Sequence, residues 1–231
     1  MKNLQILKNS GGGGDKPLIQ WNKKLIALDS LQLDEFGRMD LMCYPIGGCV
    51  CGLWKKDIII EKEIYFPEHL KYEDNFWGSL IKCYIKKVSF ISRVMYYYRK
   101  NLNSTTHSRN QAYHLDRIII EQSLLNEAQK RNLFEKYYPA WEYMFTSRYI
   151  FSTYFLFLGW FDEPPIEKMV LFMDDLKSMF PKWADNKYYQ ELTSSKMKQK
   201  NKMVFKFPRK YAKVYCEWLF IKRYIKKMLF K

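Results

Sequence analysis

The sequence predicts an α/β region followed by a mainly α-helical C-terminal region, and three observations carry that expectation. Between Tyr44 and Arg109 the apolar residues come in short runs separated by turn signals. After Asn110 they recur at helical spacing over long stretches. The basic residues are concentrated at the far end, where 13 Lys or Arg stand against one acid, Glu217, from Lys196 to Lys231. With 231 residues, 48% of them hydrophobic and 18% aromatic, the chain has material for one sizeable core or two small ones and is not of disordered composition.

Taken in order, residues 1–16 read as a tail and linker, because Gly11 to Gly14 form a run that neither a helix nor a strand tolerates. No strand precedes that run and no Gly-Lys-Ser/Thr follows it, so it is not a phosphate loop. Residues 17–110 form the α/β region. It opens with irregular apolar bursts (Leu18-Ile19, Leu25 to Leu28, Leu41-Met42) and continues through Ile58-Ile59-Ile60 and Ile64-Tyr65-Phe66. Asp74 to Lys86 has helical spacing through Phe76, Leu80, Cys83 and Tyr84, whereas Val88 to Ile91 and Val94 to Tyr98 are rich in β-branched and aromatic residues and read as strands. Residues 111–231 form the helical extension. One stripe runs through Ile118-Ile119-Ile120, Leu124-Leu125 and Ala128, and another from Trp141 to Phe161. Pro164-Pro165 then breaks the chain before Ile166 to Phe180. In the basic end, Tyr211, Val214, Tyr215, Trp218, Ile221, Ile225 and Leu229 recur at near-helical spacing, which makes a basic amphipathic helix.

The net charge of +15 calls for an anionic partner: nucleic acid, an anionic membrane surface or a phosphorylated ligand. Five cysteines, at 43, 49, 51, 83 and 216, do not form the even framework of a secreted disulfide scaffold and read as thiols in a reducing cytosol. Cys49-Val50-Cys51 lacks the spacing and second ligand pair of a zinc site, so no metal ligands are assigned. Met1 to Leu7 does not read as an export signal, and the most membrane-like stretch, Tyr149 to Phe161, falls short of the ~20 residues a spanning helix needs. A cytoplasmic location is the expectation.

Chemistry is expected first at Tyr72-Glu73-Asp74-Asn75-Phe76-Trp77. Two adjacent carboxylates bracketed by aromatic residues indicate a carboxylate in a partly apolar cleft, a setting suited to a general base. Tyr72 and Trp77 either offer flat apolar faces to a bound ligand or, as is commoner for aromatic residues beside a helix start, belong to the core.

Read together, Gly47-Gly48, Gly52-Leu53-Trp54-Lys55-Lys56, Phe66-Pro67-Glu68, Tyr72-Glu73-Asp74-Asn75 and Tyr96 to Asn101 followed by Asn103-Ser104-Thr105-Thr106 stand in an order that resembles the second half of bacterial family-two glycosyltransferases of the GT-A fold. The resemblance implies inverting transfer of a sugar from a nucleotide-sugar donor to an acceptor hydroxyl, saccharide or lipid-linked, in surface polysaccharide synthesis. It makes Asp74 the base that takes the acceptor proton and Glu73 the neighbour that orients it. It also implies donor-side roles for Arg99, His107 and Arg109, although His107 also fits an exposed residue in a solvated turn.

The family's divalent cation, Mg or Mn, is implied as well, but the Asp-any-Asp motif that holds it maps onto none of Asp15, Asp29, Asp34-Glu35 or Asp40. The chain therefore reads as the acceptor-side part of such an enzyme, truncated and lacking the nucleotide-binding half, with weak or absent activity alone. The resemblance places the basic helix, in a cytoplasmic protein, on the inner face of the membrane; a helix packed on the core with a solvated lysine face is the alternative of nearly equal standing. Competing readings are a non-catalytic scaffold derived from a transferase, a membrane-surface module, and a basic nucleic-acid-binding module. The last is disfavoured, and nucleic acid is not expected as a partner, because no helix-turn-helix, ribonucleoprotein or zinc signature is present.

Overall fold

Helical burial governs most of the chain. The structure, a computed structural model, describes residues 31–43, 49–89 and 108–229. Helices occupy 74% of these residues and strands 2%. The α/β expectation is corrected accordingly, and a GT-A-type fold is not supported. The one strand pairing among the described residues joins β1 (Leu31–Gln32) antiparallel to β2 (Lys87–Val88), with Leu31 opposite Val88 and Gln32 opposite Lys87.

The physical reason for the correction is visible at Ile58-Ile59-Ile60, which lies in a helix rather than in a sheet. After α1 (Glu35–Cys43) and a single 3₁₀ turn (Cys49–Cys51), α2 spans Lys56–Glu61. A run of three apolar residues carries no period of its own, so a short strand and a short helix look alike in sequence. Burial separates them: Ile58 and Ile59 rest on the core while Ile60 is half exposed, the pattern of a 100° rotation per residue rather than of alternation. Val88 enters β2, but Phe90-Ile91 and Val94 to Tyr98 lie outside the described residues.

The helices predicted from periodicity are present. Helix α3 spans Glu73–Lys82, with Glu73 and Asp74 in its first turn and Trp77, Leu80 and Ile81 turned into the core. The extension starts with a 3₁₀ turn (Ala112–Leu115) and α4 (Asp116–Lys130), followed by the short α5 (Leu133–Lys136). Next, α6 (Tyr138–Tyr143) runs through a π-helical segment (Met144–Phe151) into α7 (Ser152–Trp160) without a break. Within the wide turn the Thr146 hydroxyl donates to the carbonyls of Glu142 at 2.7 Å and Tyr143 at 3.2 Å, satisfying carbonyls at the change of pitch.

Pro165 precedes α8 (Ile166–Met179), and α9 (Lys187–Leu192), α10 (Ser195–Lys206) and α11 (Pro208–Leu229) complete the chain. Ser194 caps α10 through the Met197 amide, and proline at the first position of α11 gives up an amide that has no intrahelical partner there.

The continuous helix from Tyr138 to Trp160 is the axis of the core: Trp141, Met144, Phe151, Tyr154 and Phe157 on it are fully buried. The larger of two hydrophobic clusters among the described residues runs from Met39 through this helix to Ala212, and the smaller joins Leu33, Leu41 and Ile85. The region of short elements and the helical extension therefore share one core.

Candidate functional site

The acidic pair sits where α3, the start of α4 and the end of α7 meet. The chain approaches it through Glu63, His69 and Tyr72, non-glycine residues with positive φ of 48°, 59° and 66°. Tyr72, the residue before α3, is in the left-handed region and makes no side-chain cap, a conformation that costs an L-residue about 1–2 kcal/mol. Three neighbours hold it. Its hydroxyl lies 2.6 Å from His114 Nδ1, its ring stacks on Trp160 at 5.7 Å, and the Arg117 guanidinium carbon stands 5.7 Å from its ring centroid.

Its neighbours fix the state of His114. The ring is fully buried, stacks on Trp160 at 4.2 Å, and its Nε2 donates to the Ser108 carbonyl at 2.7 Å. A carbonyl can only accept, so the proton is on Nε2, and Nδ1 accepts from the Tyr72 hydroxyl. Burial pushes the His114 pKa below its ordinary 6.5, and burial raises the Tyr72 phenol to about 12, so the Tyr72 hydroxyl remains the donor.

Asp74 is half-buried in the first turn of α3. Its pKa is raised: burial is the largest cause and the Glu73 carboxylate the second. The Asn75 amide, Arg117 and its own amide pull the other way and are outweighed. A carboxylate at a helix N-terminus is ordinarily stabilised by the dipole. The upward direction here marks a carboxylate whose charge is only partly compensated.

Behind this wall lies a buried ionic network. Arg117 Nε donates to Thr153 Oγ1 at 2.5 Å and stands 3.3 Å from Glu121 Oε1, while its Nη2 donates to the Arg148 carbonyl at 3.3 Å. The Thr153 hydroxyl in turn donates to Glu121 Oε1 at 2.7 Å. Glu121 is 3% exposed, its Oε2 has no hydrogen-bond partner, and burial raises its pKa to about 7 against the pull of Arg117 and Thr153. Arg117 thus links the Tyr72 ring to the π-helical segment, whose Tyr149 also bonds the Ser79 hydroxyl of α3.

Of the residues expected at the site, Tyr72, Glu73 and Asp74 are together. Trp77 is one turn further on and 4% exposed, its indole donating to the Ile64 carbonyl at 3.1 Å and stacking on Phe66, so it is a core side chain. Arg109 pairs with Asp162 at 2.8 Å, and Asn110 bonds the same carboxylate and takes the Trp160 carbonyl on its amide. Arg109 thereby helps fasten the loop that ends α7. Arg99 and His107 lie outside the described residues.

The sequence reading missed His114, Arg117, Glu121 and Trp160. One signal was available, the Arg117 and Glu121 spacing of four on a helix. The contact of His114 with Trp160 left none.

No known protein family, curated protein or solved structure matches the chain. Among the described residues no group of three or more His, Cys, Asp or Glu side chains is placed to hold a metal ion, so the expected divalent cation finds no ligand set there.

Proposed function

We propose that this chain is the acceptor-binding part of an inverting glycosyltransferase similar to the bacterial family-two enzymes, acting from the cytoplasm in surface polysaccharide synthesis, with Asp74 as the base. The observation that carries the reading is the placement of Asp74. It combines a raised pKa, a helix start held by a strained Tyr72, and an adjoining aromatic wall of Tyr72 and Trp160. Inverting transfer needs one carboxylate within hydrogen-bond reach of an acceptor hydroxyl and a flat apolar surface to orient the sugar ring. Glu73 keeps the Asp74 proton affinity up by repulsion. The cation and nucleotide belong to the donor side, and no step on the acceptor side runs through them.

Titrating neutral saccharides into the chain while following the Tyr72, His114 and Trp160 resonances tests the binding half of the reading, and Tyr72→Ala should abolish the response. The chemical half is tested in a protein where this chain is joined to a nucleotide-sugar-binding half. There Asp74→Asn should lower kcat by about 10²–10⁴-fold with saccharide affinity nearly unchanged. An unchanged kcat removes Asp74 as the base, and saccharides that leave all three resonances unmoved remove the site.

A further inference from the structure

Among the described residues, the contacts that fasten helix α11 to the body lie along its first turns. Ala212 is fully buried, Tyr211, Tyr215 and Cys216 pack on the core, and the Tyr154 hydroxyl donates to the Pro208 carbonyl at 2.5 Å. Arg209 forms an ion pair with Glu167 of α8. From Glu217 onward the helix leaves that support. Trp218, Ile221, Tyr224, Ile225 and Met228 are each half exposed or more, and Val214 before them is exposed as well.

The spacing turns these exposures into a surface. At 100° per residue, Val214, Trp218, Ile221 and Ile225 fall on one line along the helix, with Tyr224 and Met228 beside it, while Lys222, Arg223, Lys226 and Lys227 take register positions on other sides. The Lys222 ammonium lies 5.0 Å from the Trp218 ring centroid, at the border of the two surfaces. At the base of the helix a shallow groove of about 550 Å³ is lined by Phe207, Pro208, Arg209, Lys210, Lys213 and Val214, so cations and apolar atoms adjoin there too.

Charge decides what covers this face. Helix α11 carries seven Lys or Arg and one acid, and α10 before it adds five lysines and no acid. A second copy of the same helix would bring the same charge and be repelled. A nucleic acid would answer the charge but leave the aliphatic line of Val214, Ile221 and Ile225 in water, since single strands are held by stacking and phosphate contacts. An anionic lipid surface satisfies both: the apolar line enters the acyl boundary and the lysines meet the headgroups. No helix among the described residues is long and apolar enough to cross a membrane, so the contact is one of lying in the interface.

We propose that the last three turns of α11 form an interfacial anchor that lies in an anionic membrane surface, with Trp218, Ile221 and Ile225 buried among the lipids. The proposal stands apart from the reading of Asp74.

Flotation of the full chain with vesicles of phosphatidylcholine alone, and of phosphatidylcholine mixed equally with phosphatidylglycerol, tests it. Binding should be at least about tenfold stronger on the anionic vesicles, and each lysine removed, beginning with Lys222→Gln, should weaken it by about fivefold. The double variant Ile221→Glu with Ile225→Glu should stay helical, because both residues are exposed, and should lose the anionic vesicles. Asp74→Asn should bind them as the unaltered chain does, which separates failure of the anchor from failure of the site. Equal binding to neutral vesicles, or no binding to either, overturns the proposal. So does an Ile221→Glu/Ile225→Glu variant that still binds anionic vesicles, since only charge would then be at work. Sedimentation showing a dimer that the double variant dissociates would assign the face to a second copy instead.

Discussion

Replacing Glu121 by Gln should remove a contribution to stability that falls as the pH rises from 4.5 toward 7. The Glu121 carboxyl is buried between α4 and α7, with Arg117 and Thr153 on Oε1 and nothing on Oε2. Burial raises its pKa from the ordinary 4.5 to about 7. The folded chain thus holds a proton that the unfolded chain has already released. Its stabilising contribution is complete below pH 4.5 and is lost as the pH rises through about 7. At 1.36 kcal/mol per pH unit that interval amounts to about 3 kcal/mol, a sizeable part of the 5–15 kcal/mol typical of a domain.

Urea unfolding of both proteins between about pH 4.5 and 8, read by helical circular dichroism, measures the difference directly. Asp74 and His114 titrate in both proteins, so their effects cancel in the comparison. The gap should move by about 3 kcal/mol in favour of the Gln variant with rising pH. Parallel profiles would refute the reasoning. They would mean that Arg117, at 3.3 Å, holds Glu121 ionised throughout and that the ion pair outweighs burial.

His114 should show the Nε2–H tautomer in long-range nitrogen NMR, with a titration midpoint below 6.5 because burial opposes its charge. Its contribution to stability is present above pH 6.5 and falls away as the pH drops below it, opposite in sign to that of Glu121; a midpoint above 6.5 would contradict the buried neutral ring. Trp141→Ala should cost about 3–5 kcal/mol, since the ring is fully buried and its indole donates to the Leu133 carbonyl, whereas Phe220→Ala on the far turns of α11 should cost under about 0.5 kcal/mol. Urea midpoints separate the two, and comparable losses would mean that α11 packs along its whole length.

The sequence made the long helices legible because their apolar positions repeat. The Trp141 to Phe161 stripe is the central helix, Pro164-Pro165 marks the break before α8, and the basic amphipathic pattern is α11. The helix expected over Asp74 to Lys86 is present over Glu73–Lys82, ending where Cys83 and Tyr84 turn the chain toward β2. The short elements were not legible. Ile58-Ile59-Ile60 has too few residues to show a period, and its state is set by the helices against which Ile58 and Ile59 pack. Within the site the acidic pair stood out by composition. Its wall did not, because His114 and Trp160 are brought together by the fold and not by spacing.

That wall changes what the acidic pair is. Left-handed Tyr72 costs about 1–2 kcal/mol, and the hydrogen bond to His114, the stacking on Trp160 and the Arg117 cation over its ring each return about 0.5–1.5 kcal/mol. At mid-range values these contacts together exceed the strain, about 3 against about 1.5 kcal/mol, and each one comes from the helical extension rather than from the segment that carries the carboxylates. The first turn of α3 is therefore aimed by α4 and α7. Without them Tyr72 would relax toward an ordinary backbone conformation, and Asp74 would lose part of the burial that raises its pKa. The base proposed for this chain is a property of the shared core, and the Glu73-Asp74 pair read alone is only a solvated helix start.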